Sequence, residues 1–126
     1  MSFDWTEYFS LAQELTGQNP SASSGQEAKS RAAISRAYYA AFCRSRNYLR
    51  DVEGIPISKG AAVHGQVKRE FGNSQDNVWR SVGRNLDRLR EKRNKADYDD
   101  AMPSLSNDTI LSMGLAKQVI SDLGKL

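Results

Sequence analysis

The sequence predicts an all-α fold, an up-and-down bundle of about five helices, and three observations carry that expectation. Apolar residues recur at three- and four-residue intervals through most of the 126 positions, and no run alternates as a half-buried strand would. Proline occurs only at Pro20, Pro56 and Pro103, each in a segment that reads as a connection. Between the periodic stretches lie short clusters of Gly, Ser and Asn, which favour turns over helix. At this length a single domain with one hydrophobic core is expected.

The first helix is predicted over roughly Asp4 to Thr16, where Trp5, Tyr8, Phe9, Ala12 and Leu15 share one face. Gly17 to Gly25 (GQNPSASSG) reads as a polar, mobile loop. A long second helix follows from about Gln26 to Arg50, its alanine content suiting helix. Its core stripe is Ile34, Ala37, Tyr38, Ala41, Tyr48 and Leu49. A second face carries Ala32, Arg36, Tyr39, Cys43 and Arg46, a mixture of small and polar residues suited to close approach by another helix. After a loop with Gly54, Pro56 and Gly60 comes a short helix, Ala61 to Phe71, with Val63, Val67 and Phe71 four apart. Gly72-Asn73-Ser74 is expected to close it and cap the next, Val78 to Tyr98. The last helix is placed at Ser106 to Leu123, with Ile110, Met113, Ala116, Val119, Ile120 and Leu123 turned inward.

Composition narrows the function classes. Hydrophobic residues at 39% and charged residues at 26% suit a soluble globular chain, and no apolar run approaches membrane-spanning length. The first residues, Met1-Ser2-Phe3-Asp4-Trp5, lack the basic start and apolar stretch of a signal peptide. The single cysteine, Cys43, fits a reducing compartment, so a cytoplasmic location is expected. A net charge of +3 permits nucleic-acid or nucleotide contact without demanding it. One His and one Cys cannot assemble an ordinary zinc site, and no metal or cofactor is expected.

The sharpest local signal is Arg93, which stands where a leucine belongs. Val78, Val82, Leu86, Leu89 and Ala96 fall on one stripe at roughly 100° per residue, and Arg93 projects from the middle of it. Burying a permanently charged guanidinium costs several kcal/mol unless a partner compensates, and Asp97 lies one turn on to do so. An arginine braced by a carboxylate keeps donors for a phosphate, and Tyr98 beside it offers a hydroxyl or a stacking face. The alternative is a register-fixing ion pair with Tyr98 packing in the core. Arg36 and Tyr39 admit both a binding and a packing role. Asp97, Asp99 and Asp100 read as a solvated helix end rather than a magnesium site.

Two weaker signals accompany it. Arg80, Arg84, Arg88 and Lys92, with Lys95 near the same line, form a basic ridge; without interleaved aromatics it reads as a solvated face partly neutralised by Asp87 and Glu91. His64, the only histidine, is the one imidazole available for acid–base work near neutral pH, though a lone histidine is more often structural. No glycine-rich phosphate loop, nucleophile elbow or metalloprotease helix is present in the sequence.

Two segments resemble the HEPN-domain family. One is Ala33-Ile34-Ser35-Arg36-Ala37-Tyr38-Tyr39-Ala40-Ala41-Phe42, the other Leu89-Arg90-Glu91-Lys92-Arg93-Asn94-Lys95-Ala96-Asp97-Tyr98, with His64 and Phe71 between them. The order and spacing of helices is similar over nearly the whole chain. The resemblance implies a homodimer that joins through the motif-bearing helices and places two sites at a shared cleft. Many members are metal-independent ribonucleases of toxin–antitoxin, antiviral and RNA-processing systems, and many small ones act beside a nucleotidyltransferase-type antitoxin that modifies a tyrosine near the motif. Arg93 and Asn94 match the start of the family's ribonuclease motif, whereas Tyr98 stands at the spacing of its histidine.

Three expectations follow from the resemblance. The first is binding of RNA or nucleotide phosphate by Arg36, Tyr39, Arg93, Asn94 and Asp97. The second is metal-independent cleavage using Arg93 with Tyr98 or His64. The third is a non-catalytic interaction with a nucleotidyltransferase-type partner, with Tyr98 as the modified group.

Overall fold

The computed structural model describes residues 3–17 and 25–126. Five helices follow one another: α1 (Thr6–Gly17), α2 (Gln26–Asp51), α3 (Ala62–Gly72), α4 (Asn77–Tyr98) and α5 (Leu105–Leu123). Among the described residues there is no strand, so the chain is an all-α helical bundle. The segment expected to be a polar loop lies, from 18 to 24, outside the described residues.

The starts of α1 and α4 follow side-chain chemistry. Asp4 Oδ1 accepts from the Thr6 amide at 3.0 Å ahead of α1. The cap of α4 falls on Asp76 rather than on Gly72-Asn73-Ser74; its Oδ1 accepts from the Val78 and Trp79 amides at 2.8 and 3.2 Å. Ser74 serves one step earlier, its Oγ accepting from the Asp76 amide at 3.0 Å. In the loop before α3, Gln66 holds the chain with two bonds of 2.7 Å, from the Ser58 amide and to the Pro56 carbonyl.

α2 is the central helix and touches each of the other four. Its buried set is broader than one stripe: Ala33, Ile34, Ala37, Tyr38, Ala40, Ala41, Phe42, Cys43 and Leu49 all lie in the core. The alanines let neighbouring helices approach closely on several sides. Ala32, by contrast, is exposed, and Tyr48 is half-buried rather than a core residue. Against α2 pack Ala12 of α1, Val67 and Phe71 of α3, Val82, Leu86 and Leu89 of α4, and Ala116, Val119 and Leu123 of α5.

One expectation about α5 is overturned. Ile110 is 72% exposed, and the buried line runs through Thr109, Ser112, Ala116, Val119 and Leu123. Thr109 can enter the core because its hydroxyl donates to the Leu105 carbonyl at 2.7 Å, which satisfies it within the helix. Apolarity alone pointed to Ile110, one residue and about 100° away from the true stripe.

α3 and α4 cross at a backbone-to-backbone contact. A Cβ at Gly83 would meet Gly72 N at 2.6 Å and Gly72 Cα at 2.8 Å, so only glycine fits there. No helix of the described residues is long and apolar enough to cross a membrane.

Candidate functional site

One turn of α4 brings Arg93 to Asp97, with Nε 2.9 Å from Oδ2. Their side chains are 16% and 28% exposed, so the pair lies at the edge of the core rather than inside it. The Arg93 N–H does not point along that vector: Nε is buried without a directed hydrogen bond among the described residues. Charge therefore holds the pair more than geometry does. Nη1 donates to Asn94 Oδ1 at 2.9 Å, and Nη2 has no hydrogen-bond partner among the described residues.

Asp97 also links the two helices. Ser35 Oγ donates to Asp97 Oδ2 at 3.4 Å, and Arg36 Nη2 donates to Ser35 Oγ at 3.3 Å. Arg36 and Arg93 thus approach one carboxylate, Arg93 directly and Arg36 through a hydroxyl. Both guanidinia also lie over Tyr39, each 5.3 Å from its ring centroid. Tyr98 supplies a second face 5.8 Å from the Arg93 guanidinium and is 73% exposed, so it does not pack in the core.

Arg31 braces the end of α4 against α2. Its guanidinium donates to the carbonyls of Ala96, Asp99 and Asp100 at 3.0, 2.6 and 3.4 Å. A cation at a helix C-terminus satisfies carbonyls that have no intrahelical donor and complements the helix dipole. Arg31 thereby sets where Asp97 and Tyr98 stand.

His64 comes from α3 to the neighbouring stretch of α2. Its Nδ1 lies 2.5 Å from the Tyr38 hydroxyl, and its ring stacks on Phe42 at 4.4 Å and meets Tyr39 edge-on at 6.3 Å. Burial raises the Tyr38 phenol far above its usual value, against the pull of Arg90 and Arg93, so Tyr38 keeps its proton. His64 Nδ1 is the sole acceptor for that proton among the described residues. The proton of the neutral imidazole then sits on Nε2. Burial, and after it the charges of Arg90 and Arg93, push the His64 pKa down from 6.5, so the ring is neutral at pH 7. In this geometry His64 presents an N–H donor, not a proton acceptor, to anything approaching Nε2.

Of the residues the sequence singled out, Arg36, Tyr39, Arg93, Asn94, Asp97 and Tyr98 form one connected set, and His64 joins it at the edge of Tyr39. Sequence reasoning passed over Arg90. Half-buried three residues before Arg93, it acts on both Tyr38 and His64, and its Nε is buried without a hydrogen-bond partner among the described residues. Its i, i+3 relation to Arg93 was a signal that could have found it. Ser35 and Tyr38 gave none, since each reads as an ordinary helix residue.

The basic ridge is partly paired. Lys92 meets Asp108 at 3.2 Å and Lys95 meets Glu91 at 3.6 Å, while Asp87 turns instead to Lys68 of α3 at 3.1 Å. No group of three His, Cys, Asp or Glu side chains converges as a metal site among the described residues. Comparison of the chain with protein-family models, curated proteins and solved structures gives no match.

Proposed function

We propose that this protein is a HEPN-like homodimer that binds RNA, or the phosphate of a nucleotide, at a cleft between α2 and α4. The single observation that carries the reading is Arg93: a guanidinium on an otherwise apolar stripe, braced by Asp97, flanked by the Tyr39 and Tyr98 rings and with Nη2 unbonded among the described residues. A braced guanidinium with a free edge is suited to phosphate oxygens, and adjacent ring faces are suited to bases. Arg36 adds positive charge near Asp97, the one carboxylate that Arg93 meets among the described residues, and Arg90 adds it beside His64. The tautomer of His64 favours binding over cleavage, because Nε2–H offers a hydrogen bond and cannot take the proton of a ribose hydroxyl.

The test is retention and cleavage of total RNA in chelator, read together for wild type and Arg93→Ala. The expected result is salt-sensitive retention of intact RNA that falls at least about tenfold in the variant. Retention unchanged by Arg93→Ala overturns the reading. Cleavage that vanishes in Arg93→Ala replaces it with a metal-independent endoribonuclease, a component of a toxin–antitoxin or defence system.

The exposure of Tyr98 favours a second reading. Its phenol stands open to solvent beside Arg93, where the hydroxyl can attack the α-phosphate of a nucleoside triphosphate held by a nucleotidyltransferase-type partner, releasing pyrophosphate and the phenolic proton. A nucleotidyl mass increase on co-expression with such a partner, absent in Tyr98→Phe, is the expected result.

A further inference from the structure

The second face of α2, which the sequence marks as suited to another helix, is left partly open. Between α1 and α3 it floors a groove of about 430 Å³. Arg36, Tyr39, Cys43 and Arg46 line the floor at steps of three, four and three residues, which keeps them on one side of the helix. Trp5, just ahead of α1, and Tyr8 of α1 form one wall, and His64 of α3 stands in the other.

Its chemistry is one-sided. None of the described residues lining the groove is acidic. Arg36 lies 4.8 Å from the Tyr8 ring and Arg46 lies 5.5 Å from the Trp5 ring, each held by an aromatic face rather than by a carboxylate. Among the described residues, the only hydrogen bonds of these two guanidinia go to neutral oxygens, Ser35 Oγ and Asn47 Oδ1. Burial raises the Cys43 thiol above its usual range, so it adds no negative charge. His64 contributes the Nε2–H donor deduced above. A concave site of this volume, walled by rings and carrying unneutralised positive charge, matches a small flat anion.

Arg36 and Arg46 are ten residues apart on α2, about 15 Å along the helix axis, so a small ligand engages one of them. Arg36 is already committed through Ser35 to Asp97. Arg46 meets no carboxylate among the described residues; its Nε donates to Asn47 Oδ1.

We propose that this groove is a binding site for a small planar aromatic carboxylate, with the carboxylate on Arg46 and the ring against Trp5. The guanidinium fork pairs with a carboxylate through two parallel N–H bonds, and the Trp5 indole, which Arg46 already overlies, supplies ring surface beside it. The groove adjoins the Arg93 set through Arg36 and Tyr39, but its carboxylate contact, Arg46, lies outside that set.

The chain has two tryptophans, and the second, Trp79, packs on Phe71 and Tyr48 away from the groove. In a Trp79→Phe background Trp5 is therefore the sole indole reporter. Benzoate, neutral benzamide, non-planar cyclohexanecarboxylate and AMP are titrated while Trp5 emission is followed. Benzoate is expected to give a saturable change at least about tenfold tighter than benzamide or cyclohexanecarboxylate, a difference large enough to reflect the ion pair and the stacking. Arg46→Gln is expected to weaken it about tenfold, and Arg93→Ala to leave it unchanged. Arg46→Lys keeps the charge but not the fork, so it is also expected to weaken benzoate and covers the case where Arg46→Gln does not fold. Several results overturn the proposal: equal binding of benzamide, no saturable change with benzoate, loss in Arg93→Ala with none in the Arg46 variants, or saturation by AMP alone.

Discussion

Gly83→Ala and Gly114→Ala are the same chemical change in two helices, and the structure gives them opposite signs. Replacing glycine by alanine inside a helix gains up to about 1 kcal/mol from propensity and a stiffer unfolded chain. At Gly114, exposed in α5, a new Cβ meets nothing within 4 Å, so that gain stands. At Gly83, buried in α4, the new carbon lies 2.6 Å from Gly72 N, 2.8 Å from Gly72 Cα and 3.1 Å from the Lys68 carbonyl. Nonbonded carbons prefer about 3.5–4.0 Å, and every atom met is main chain, so α3 must retreat by about 1 Å. Overpacking of this kind costs about 1–3 kcal/mol, occasionally more, and outweighs the propensity gain. Urea denaturation should therefore place Gly114→Ala about 0.5–1 kcal/mol above wild type and Gly83→Ala about 1–2 kcal/mol below it. A Gly83→Ala protein as stable as wild type would refute the close crossing of α3 and α4.

Three further outcomes are expected. His64 has a folded-state pKa below 6.5, so protonation favours the unfolded chain; its contribution to stability is full above pH 6.5 and is lost as the pH falls through the folded value. As His64 is the only histidine, the urea midpoint should drop between pH 7 and pH 5, and His64→Gln should flatten that slope. Arg31→Ala strips donors from the carbonyls of Ala96, Asp99 and Asp100 and should speed amide exchange at the end of α4, at a cost of about 1–3 kcal/mol. Asp76→Ala removes the acceptor for the Val78 and Trp79 amides and should cost about 0.5–2 kcal/mol by urea denaturation, with the first turn of α4 losing helicity.

Much of the fold was legible because helices advertise themselves through period. All five predicted spans overlap the observed helices, their ends moving by one or two residues. The misreadings share a cause: the polar side chains concerned act locally in ways apolarity does not encode. Thr109 enters the core because its hydroxyl bonds back to Leu105, displacing Ile110, and Asp76 rather than Ser74 takes the cap because its carboxylate reaches two amides. At the site, Arg93 and Asp97 were legible since four residues make one helical turn. The contact between Tyr38 and His64 was not, the two being 26 positions apart.

By itself, the sequence determined the helical class, the stripe on α4 and the misplaced charge upon it, because these depend on spacing within one helix. Tertiary structure alone decided that Arg93 shares Tyr39 with Arg36, that Ser35 joins Asp97 to α2, and that Tyr38 assigns the proton of His64. Those relations depend on how α2, α3 and α4 pack, and side chains distant in sequence meet only when alanines and glycines let their helices approach.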